Sequence, residues 1–158
     1  MSSTSQRKAD HIELCATGDV GFVGKTTLLD QVDLLHDALP ELRLDDLDTT
    51  TELFGKPLRA PIVIAAMTGG TPRAKQINRD LAPVAESRGY GFGLGSQRPM
   101  LEGRHEDSFD VRDVAPHGLL LGNLSAVQGA ALATEQVEAL VRQVGADALC
   151  LHLNPAME

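Results

Sequence analysis

Between Pro61 and Met67 the chain reads Pro-Ile-Val-Ile-Ala-Ala-Met, then switches abruptly to Thr68-Gly69-Gly70. A short apolar run rich in β-branched residues that stops at glycines predicts a buried parallel strand ending in a loop. Thr71-Pro72 then predicts an N-cap followed by proline in the first turn of a helix. Ala74, Ile77, Leu81, Val84 and Ala85 recur at near-helical spacing and predict one apolar face. Pro83 lacks an amide donor and should bend or split that helix, and Gly89 should cap it. From Gly89 to Gly95 glycine alternates with apolar residues, which on a strand puts every glycine on one face. Such a bare face suits either a flat ligand or close packing by a neighbouring element.

The same design continues downstream. Glu102–Val114 is charged and reads as partly helical. Gly118–Leu121 predicts a third strand ending in Gly122-Asn123. Val137, Leu140, Val141 and Val144 mark one face of a helix that Gly145 stops. Asp147–Leu151 predicts a fourth strand, ending in His152-Leu153-Asn154. Alternating strands and helices imply an α/β fold with parallel strands near 61–67, 90–95, 118–122 and 147–152. Thr68, Ser96 with Arg98, Asn123, and His152 with Asn154 fall at the carboxyl ends of these strands, the edge where α/β sheets bind ligands. Four such ends in register predict a shared site.

The first sixty residues are less regular. Met1–Asp10 is polar and Ser-rich and is expected to be mobile unless something holds it. Arg7, Lys8 and His11 put three potential cations within five residues, which suits either a polyanion clamp or an ordinary solvated turn. Gly24-Lys25-Thr26 looks like the end of a phosphate loop, but Asp19 stands where that motif needs glycine, and neither a strand before it nor a sustained helix after it is evident. Asp45-Asp46-Leu47-Asp48 reads as a solvated acidic loop in preference to a metal cluster, and Phe54–Leu58 as a tight turn.

Composition narrows the class of function. The 158 residues carry a net charge of −8, with five aromatics and no Trp, which argues against a nucleic-acid surface. No apolar stretch approaches the ~20 residues of a membrane span, and the N-terminus has no apolar leader core. Cys15 and Cys150 are far apart without metal-ligand spacing and read as reduced thiols of a cytoplasmic protein.

Taken in order, Arg7-Lys8-x-x-His11, Ala38-Leu39-Pro40-Glu41, Ala60-Pro61, Met67-Thr68-Gly69-Gly70, Ile77-Asn78, Gly95-Ser96-Gln97-Arg98, Asn123 and Leu151-His152-Leu153-Asn154-Pro155 resemble type 2 isopentenyl-diphosphate isomerase along nearly the whole chain. The resemblance implies the N-terminal half of a (β/α)8 TIM barrel with about four parallel strands. Residues 1–59 would form an extension bearing clamp residues, and residues 60–158 the first four βα units. It also implies interconversion of isopentenyl and dimethylallyl diphosphates, with reduced FMN as acid/base, Mg2+, and NADPH to reduce the flavin.

By the same resemblance, Met67, Thr68, Ser96 and Asn123 would contact FMN. Arg7, Lys8, His11 and Arg98 would bind the diphosphate, His152 and Asn154 would act in catalysis, and Glu158 would hold the metal. Met157 stands where the family has Gln, and the chain stops before the later phosphate loops of such a barrel. The competing expectation is therefore an inactive half-barrel acting as an interaction module. Open strand edges predict a homo-oligomer.

Overall fold

The computed structural model describes residues 3–103 and 106–153. Helix α1 (Ser3–Thr17) comes first, followed by an exposed segment with two short 3-10 turns, Leu29–Gln31 and Leu44–Asp46. The described part of the terminus is thus helical and held, the exception that the expectation of mobility allowed for. Gln, Arg, Lys, Ala, Glu and Leu in this stretch are good helix formers, and Lys8 anchors the helix to distant backbone carbonyls.

Strands β1 (Thr51–Leu53) and β2 (Lys56–Leu58) pair antiparallel, Thr51 opposite Leu58 and Leu53 opposite Lys56. Phe54 and Gly55 both have positive φ, 52° and 73°, the hand of a two-residue hairpin turn that matches strand twist. Four further strands form a separate sheet: β3 (Val63–Ile64), β4 (Gly91–Gly93), β5 (Leu120–Ser125) and β6 (Ala148–His152). They pair in parallel, in the order β3-β4-β5-β6. Helix α2 (Pro72–Arg88) joins β3 to β4. The short α3 (Arg98–Leu101) follows β4, and α4 (Ala126–Ala130) and α5 (Thr134–Gln143) join β5 to β6.

The protein is therefore a small α/β fold with both antiparallel and parallel strands, which corrects the expectation of half a TIM barrel. The 51–58 hairpin is a second sheet that the barrel scheme does not contain. The short run expected to be a buried strand over 61–67 also gives only Val63–Ile64, with Ile62, Val63 and Met67 exposed. As the outer strand, β3 has a partner on one side only, so its other side lacks cover.

Where the chain follows local chemistry, it does so through identifiable atoms. Thr71 Oγ1 accepts from Ala74 N at 3.1 Å and caps α2, and Gly89 ends it at φ 68°. Pro83 leaves α2 unbroken, and the buried residues on this helix are Ala74, Asn78, Ala82 and Ala85, with Leu81 and Val84 exposed. The apolar face read from the sequence is corrected accordingly, since α2 meets the sheet through small side chains. Among the described residues, Glu102–Val114 gives the 3-10 turn Glu106–Phe109. Along α5, Leu140 is buried and Val144 just beyond it is buried too, with Val137 and Val141 half-buried, as their spacing predicts.

Phe92, Leu94, Phe109, Val111, Leu120 and Leu124 form the centre of the core. The glycine face of β4 is filled by packing. A Cβ on Gly93 would lie 3.0 Å from Ala66 N, and one on Gly95 would lie 2.4 Å from Thr68 O. At the amino edge of the sheet Arg112 donates to Gly145 O and Gly118 O, both at 2.8 Å, and to Asp147 Oδ2 at 2.9 Å. Asp147 in turn accepts from Leu120 N at 2.9 Å.

Candidate functional site: cations at the carboxyl edge of the sheet

The loop after β3 is pinned from below. Ser108 Oγ accepts from Gly70 N at 2.6 Å, and Asn78 Nδ2 donates to Ser108 O at 2.8 Å and to Thr68 O at 3.3 Å. Gly69 admits no side chain, because a Cβ there would lie 2.0 Å from Phe109 Cε1. The loop after β4 is tied on both sides: Gly95 N donates to Thr68 O of the loop after β3, and Gln97 N to Asn123 O of β5. Gln97, fully buried, accepts from Asn123 N at 3.1 Å and donates to Leu140 O at 3.0 Å. Asn78, Ser108 and Gln97 carry this framework, and the sequence reading assigned none of them a role. The available signal was a polar residue at helical spacing from Ala74 and Ala82, on the buried face of α2.

Into this framework reaches Lys8 from α1. Its Nζ donates to Gly69 O at 2.8 Å and Ser96 O at 3.2 Å and lies 5.7 Å from the centre of the Phe109 ring. Burial pushes the Lys8 amine down to about 8, and the charges of Arg7 and Arg98 push in the same direction. Arg7 Nε is buried without a hydrogen-bond partner. Arg98 Nε has Glu102 Oε1 at 3.5 Å. The structure thus brings Arg7, Lys8 and Arg98 close enough to repel one another, which costs stability unless an anion joins them.

His11, one turn beyond Lys8, is exposed and lines a cleft of about 440 Å3 between α1 and the start of α2. Met67, 80% exposed, lines the same cleft with Thr68. His152 Nδ1 lies 2.9 Å from Asn123 Oδ1. Because a carboxamide oxygen only accepts, Nδ1 carries the proton and the ring orientation is set by Asn123.

Thr68, Ser96, Asn123 and His152 do share one edge of the sheet, through the backbone and side-chain bonds above. The bare face of β4 is taken up by the 66–68 backbone, Ser96 O is bonded to Lys8, and the Asn123 amide is bonded to His152. Asn154, Glu158 and Met157 lie outside the described residues.

Among the described residues no group of three or more His, Cys, Asp or Glu is placed to hold a metal ion. Asp45, Asp46 and Asp48 are exposed, and 18–27 is exposed loop between α1 and a 3-10 turn, unlike a phosphate loop between strand and helix. Cys15 and Cys150 are free and exposed. No described helix is long and apolar enough to cross a membrane.

No protein-family model matches the chain. Among curated proteins, it is 44% identical over 156 residues to an isopentenyl-diphosphate delta-isomerase of Methanosarcina acetivorans, covering 98% of this chain and 43% of that relative. A protein of the same name from Mycobacterium marinum is 46% identical over 158 residues, 98% of this chain and 45% of its own length. One from a Synechococcus strain is 46% identical over 159 residues, 99% and 46% respectively. The chain spans less than half the length of the curated relatives it matches. Their names specify an isomerase and neither a type nor a flavin, and a second, antiparallel sheet precedes the parallel one. The narrower likeness to the N-terminal half of a type 2, FMN-dependent enzyme is therefore corrected to a likeness to isopentenyl-diphosphate delta-isomerases as these relatives are named.

Proposed function

We propose that this chain binds isopentenyl diphosphate and contributes to its isomerisation to dimethylallyl diphosphate. The observation that carries the proposal is the cluster of Arg7, Lys8 and Arg98 at the carboxyl edge of the sheet, in a chain of net charge −8, with Glu102 as a carboxylate neighbour of Arg98. A diphosphate supplies the missing negative charge, and guanidinium and ammonium groups suit its oxygens. The names of the relatives supply the rest of the reading.

The reaction moves the double bond from C3–C4 to C2–C3 of the five-carbon chain, so C4 gains a proton and C2 loses one. In this reading the cations fix the diphosphate end, which limits where the alkene can lie. His152, oriented through Nδ1 by Asn123, lines the reacting end; His11 adds a further donor on the α1 side, and Asn154 is assigned to catalysis by the resemblance alone. A divalent ion such as Mg2+ would neutralise diphosphate charge when it arrives with the substrate. Among the described residues no cluster of three or more His, Cys, Asp or Glu is placed for a metal, and the glycine face of β4 is filled by the 66–68 backbone. The exposed Leu151 and Leu153 beside the free edge of β6 support self-association as a second part of the proposal.

Titration with inorganic diphosphate tests the anion site directly. Binding that weakens at least tenfold in Arg7→Ala and Arg98→Ala is expected; equal binding by wild type and both variants would overturn it. Conversion of isopentenyl diphosphate, followed by proton NMR with Mg2+ alone and with FMN and NADPH added, tests the chemistry and its cofactor need. Sedimentation reads the oligomeric state, with a dimer or larger species expected.

A further inference from the structure

The cleft beside Lys8 is larger than a five-carbon substrate needs. Lys8, Ile12, Cys15 and Ala16 share one face of α1 at successive turns, and Met67, Thr68 and Ile77 form the facing wall. With a rise of 1.5 Å per residue, this wall runs about 12 Å from Lys8 to Ala16, whereas an isopentenyl tail spans roughly 5 Å. The cleft volume of about 440 Å3 is within the range of small-molecule sites. Its lining is mainly apolar, with charge at the Lys8 end and Arg73 held by Glu13 at 3.1 Å across the gap between α1 and α2.

We infer that this cleft binds prenyl diphosphates longer than five carbons, the diphosphate at Arg7, Lys8 and Arg98 and the branched hydrocarbon along Ile12, Cys15 and Ala16. The inference rests on the anion site proposed above and extends it from a head-group clamp to an amphiphile site. An anionic head at one end and an apolar trough leading from it leave few other ligand chemistries that satisfy both. A ten-carbon tail reaches the far wall, which a five-carbon tail leaves in water. Occupancy by such a compound covers the cations that the shorter substrate needs, so products of later chain elongation would compete with that substrate.

Cys15 provides a readout that does not depend on turnover. It is exposed in the cleft, while Cys150, exposed on β6, is an internal control. Maleimide labelling of the full chain is followed by mass spectrometry with inorganic diphosphate, dimethylallyl diphosphate, geranyl diphosphate or geraniol present. We expect geranyl diphosphate to slow labelling of Cys15 at least tenfold, dimethylallyl diphosphate and inorganic diphosphate less than twofold, and Cys150 to be unaffected. Ala16→Trp, at the end of the trough away from Lys8, should remove the geranyl protection while leaving binding of inorganic diphosphate within twofold.

Equal protection by inorganic and geranyl diphosphates, protection by geraniol as strong as by its diphosphate, or none by any ligand would overturn the inference. Protection that grows with tail length in a chain that does not convert isopentenyl diphosphate sustains the inference and removes the isomerase reading. Conversion without length-dependent protection does the reverse.

Discussion

The two edges of the parallel sheet handle charge in opposite ways. At the amino edge Arg112, Asp147 and Glu86 are saturated. Arg112 reaches Gly145, Gly118 and Asp147, and Asp147 also has Lys56 at 3.5 Å. Glu86 accepts from the amides of His117 and Gly118 at 2.8 and 2.7 Å. At the carboxyl edge Arg7, Lys8 and Arg98 crowd like charges, and Arg7 Nε is buried with no partner. A partnered ionic cluster holds loops to strands; an unbalanced one stores a repulsion that an anionic ligand relieves.

The largest test of that contrast is at the amino edge. Removing Arg112 leaves Asp147 without its guanidinium and several carbonyls without a donor, so Arg112→Ala should cost about 3 kcal/mol of stability, measured by urea unfolding. It should leave diphosphate affinity unchanged apart from the unfolded fraction. Loss of binding in folded Arg112→Ala would show that the edges are not independent.

Lys8→Met should do the opposite. It removes a desolvated charge from between two other cations, so stability should hold or rise, while diphosphate affinity falls by about 2 kcal/mol, roughly thirtyfold. Calorimetric titration beside thermal melts separates the two effects. A variant that loses stability and binding in parallel would mean that Lys8 is chiefly a strut for Gly69 and Ser96.

pH sharpens the contrast further, because the two edges respond at different ends of the scale. The folded-state value of Lys8 is lowered to about 8 from 10.5, so between these values the unfolded chain holds more protons. This group's contribution to stability therefore rises with pH across that window, and diphosphate affinity, which uses the protonated amine, should decline above about 8.

Asp147 has the same sign at the acid end of the scale. Burial alone would raise its pKa, but the Leu120 amide, the Arg112 guanidinium and Lys56 together bring it below the ordinary value. Its contribution is present above the unfolded carboxylate value, about 3.9, and is lost as pH falls through the lower folded value. Unfolding and diphosphate titrations across pH 3–10 check both signs. Affinity that is flat through pH 8–10 would remove Lys8 from the anion site.

The smallest expected effect is at the hinge between the two edges. Thr71→Ala removes the side-chain cap on α2 and should cost about 1 kcal/mol. The helix start also carries the loop with Gly69 and Gly70, so diphosphate affinity should drop only a few-fold, by displacing the Gly69 carbonyl that holds Lys8.

The parts of this protein that its sequence determined by itself are those governed by a few neighbouring residues. Thr71-Pro72 starts a helix because the cap bond spans three residues, Gly89 and Gly145 stop helices because they take positive φ, and the spacing from Val137 to Val144 fixes the inner face of α5. The places of the four parallel strands were legible for the same reason, as apolar runs between turn residues.

The tertiary structure alone decided which faces are covered and which charges meet. Leu81 and Val84 are apolar and still face water, because the room between α2 and the sheet fits only small side chains. The 51–58 stretch became a hairpin with its own sheet, through pairing that a turn motif left open. Lys8 and Ser96 are 88 residues apart, as are Arg112 and Asp147 by 35, and their bonds exist only once α1 and the strand ends have docked. Helix and turn preferences are set within one or two turns of chain, whereas the desolvation of Lys8 and the crowding of Arg7 and Arg98 around it depend on contacts that no local stretch contains.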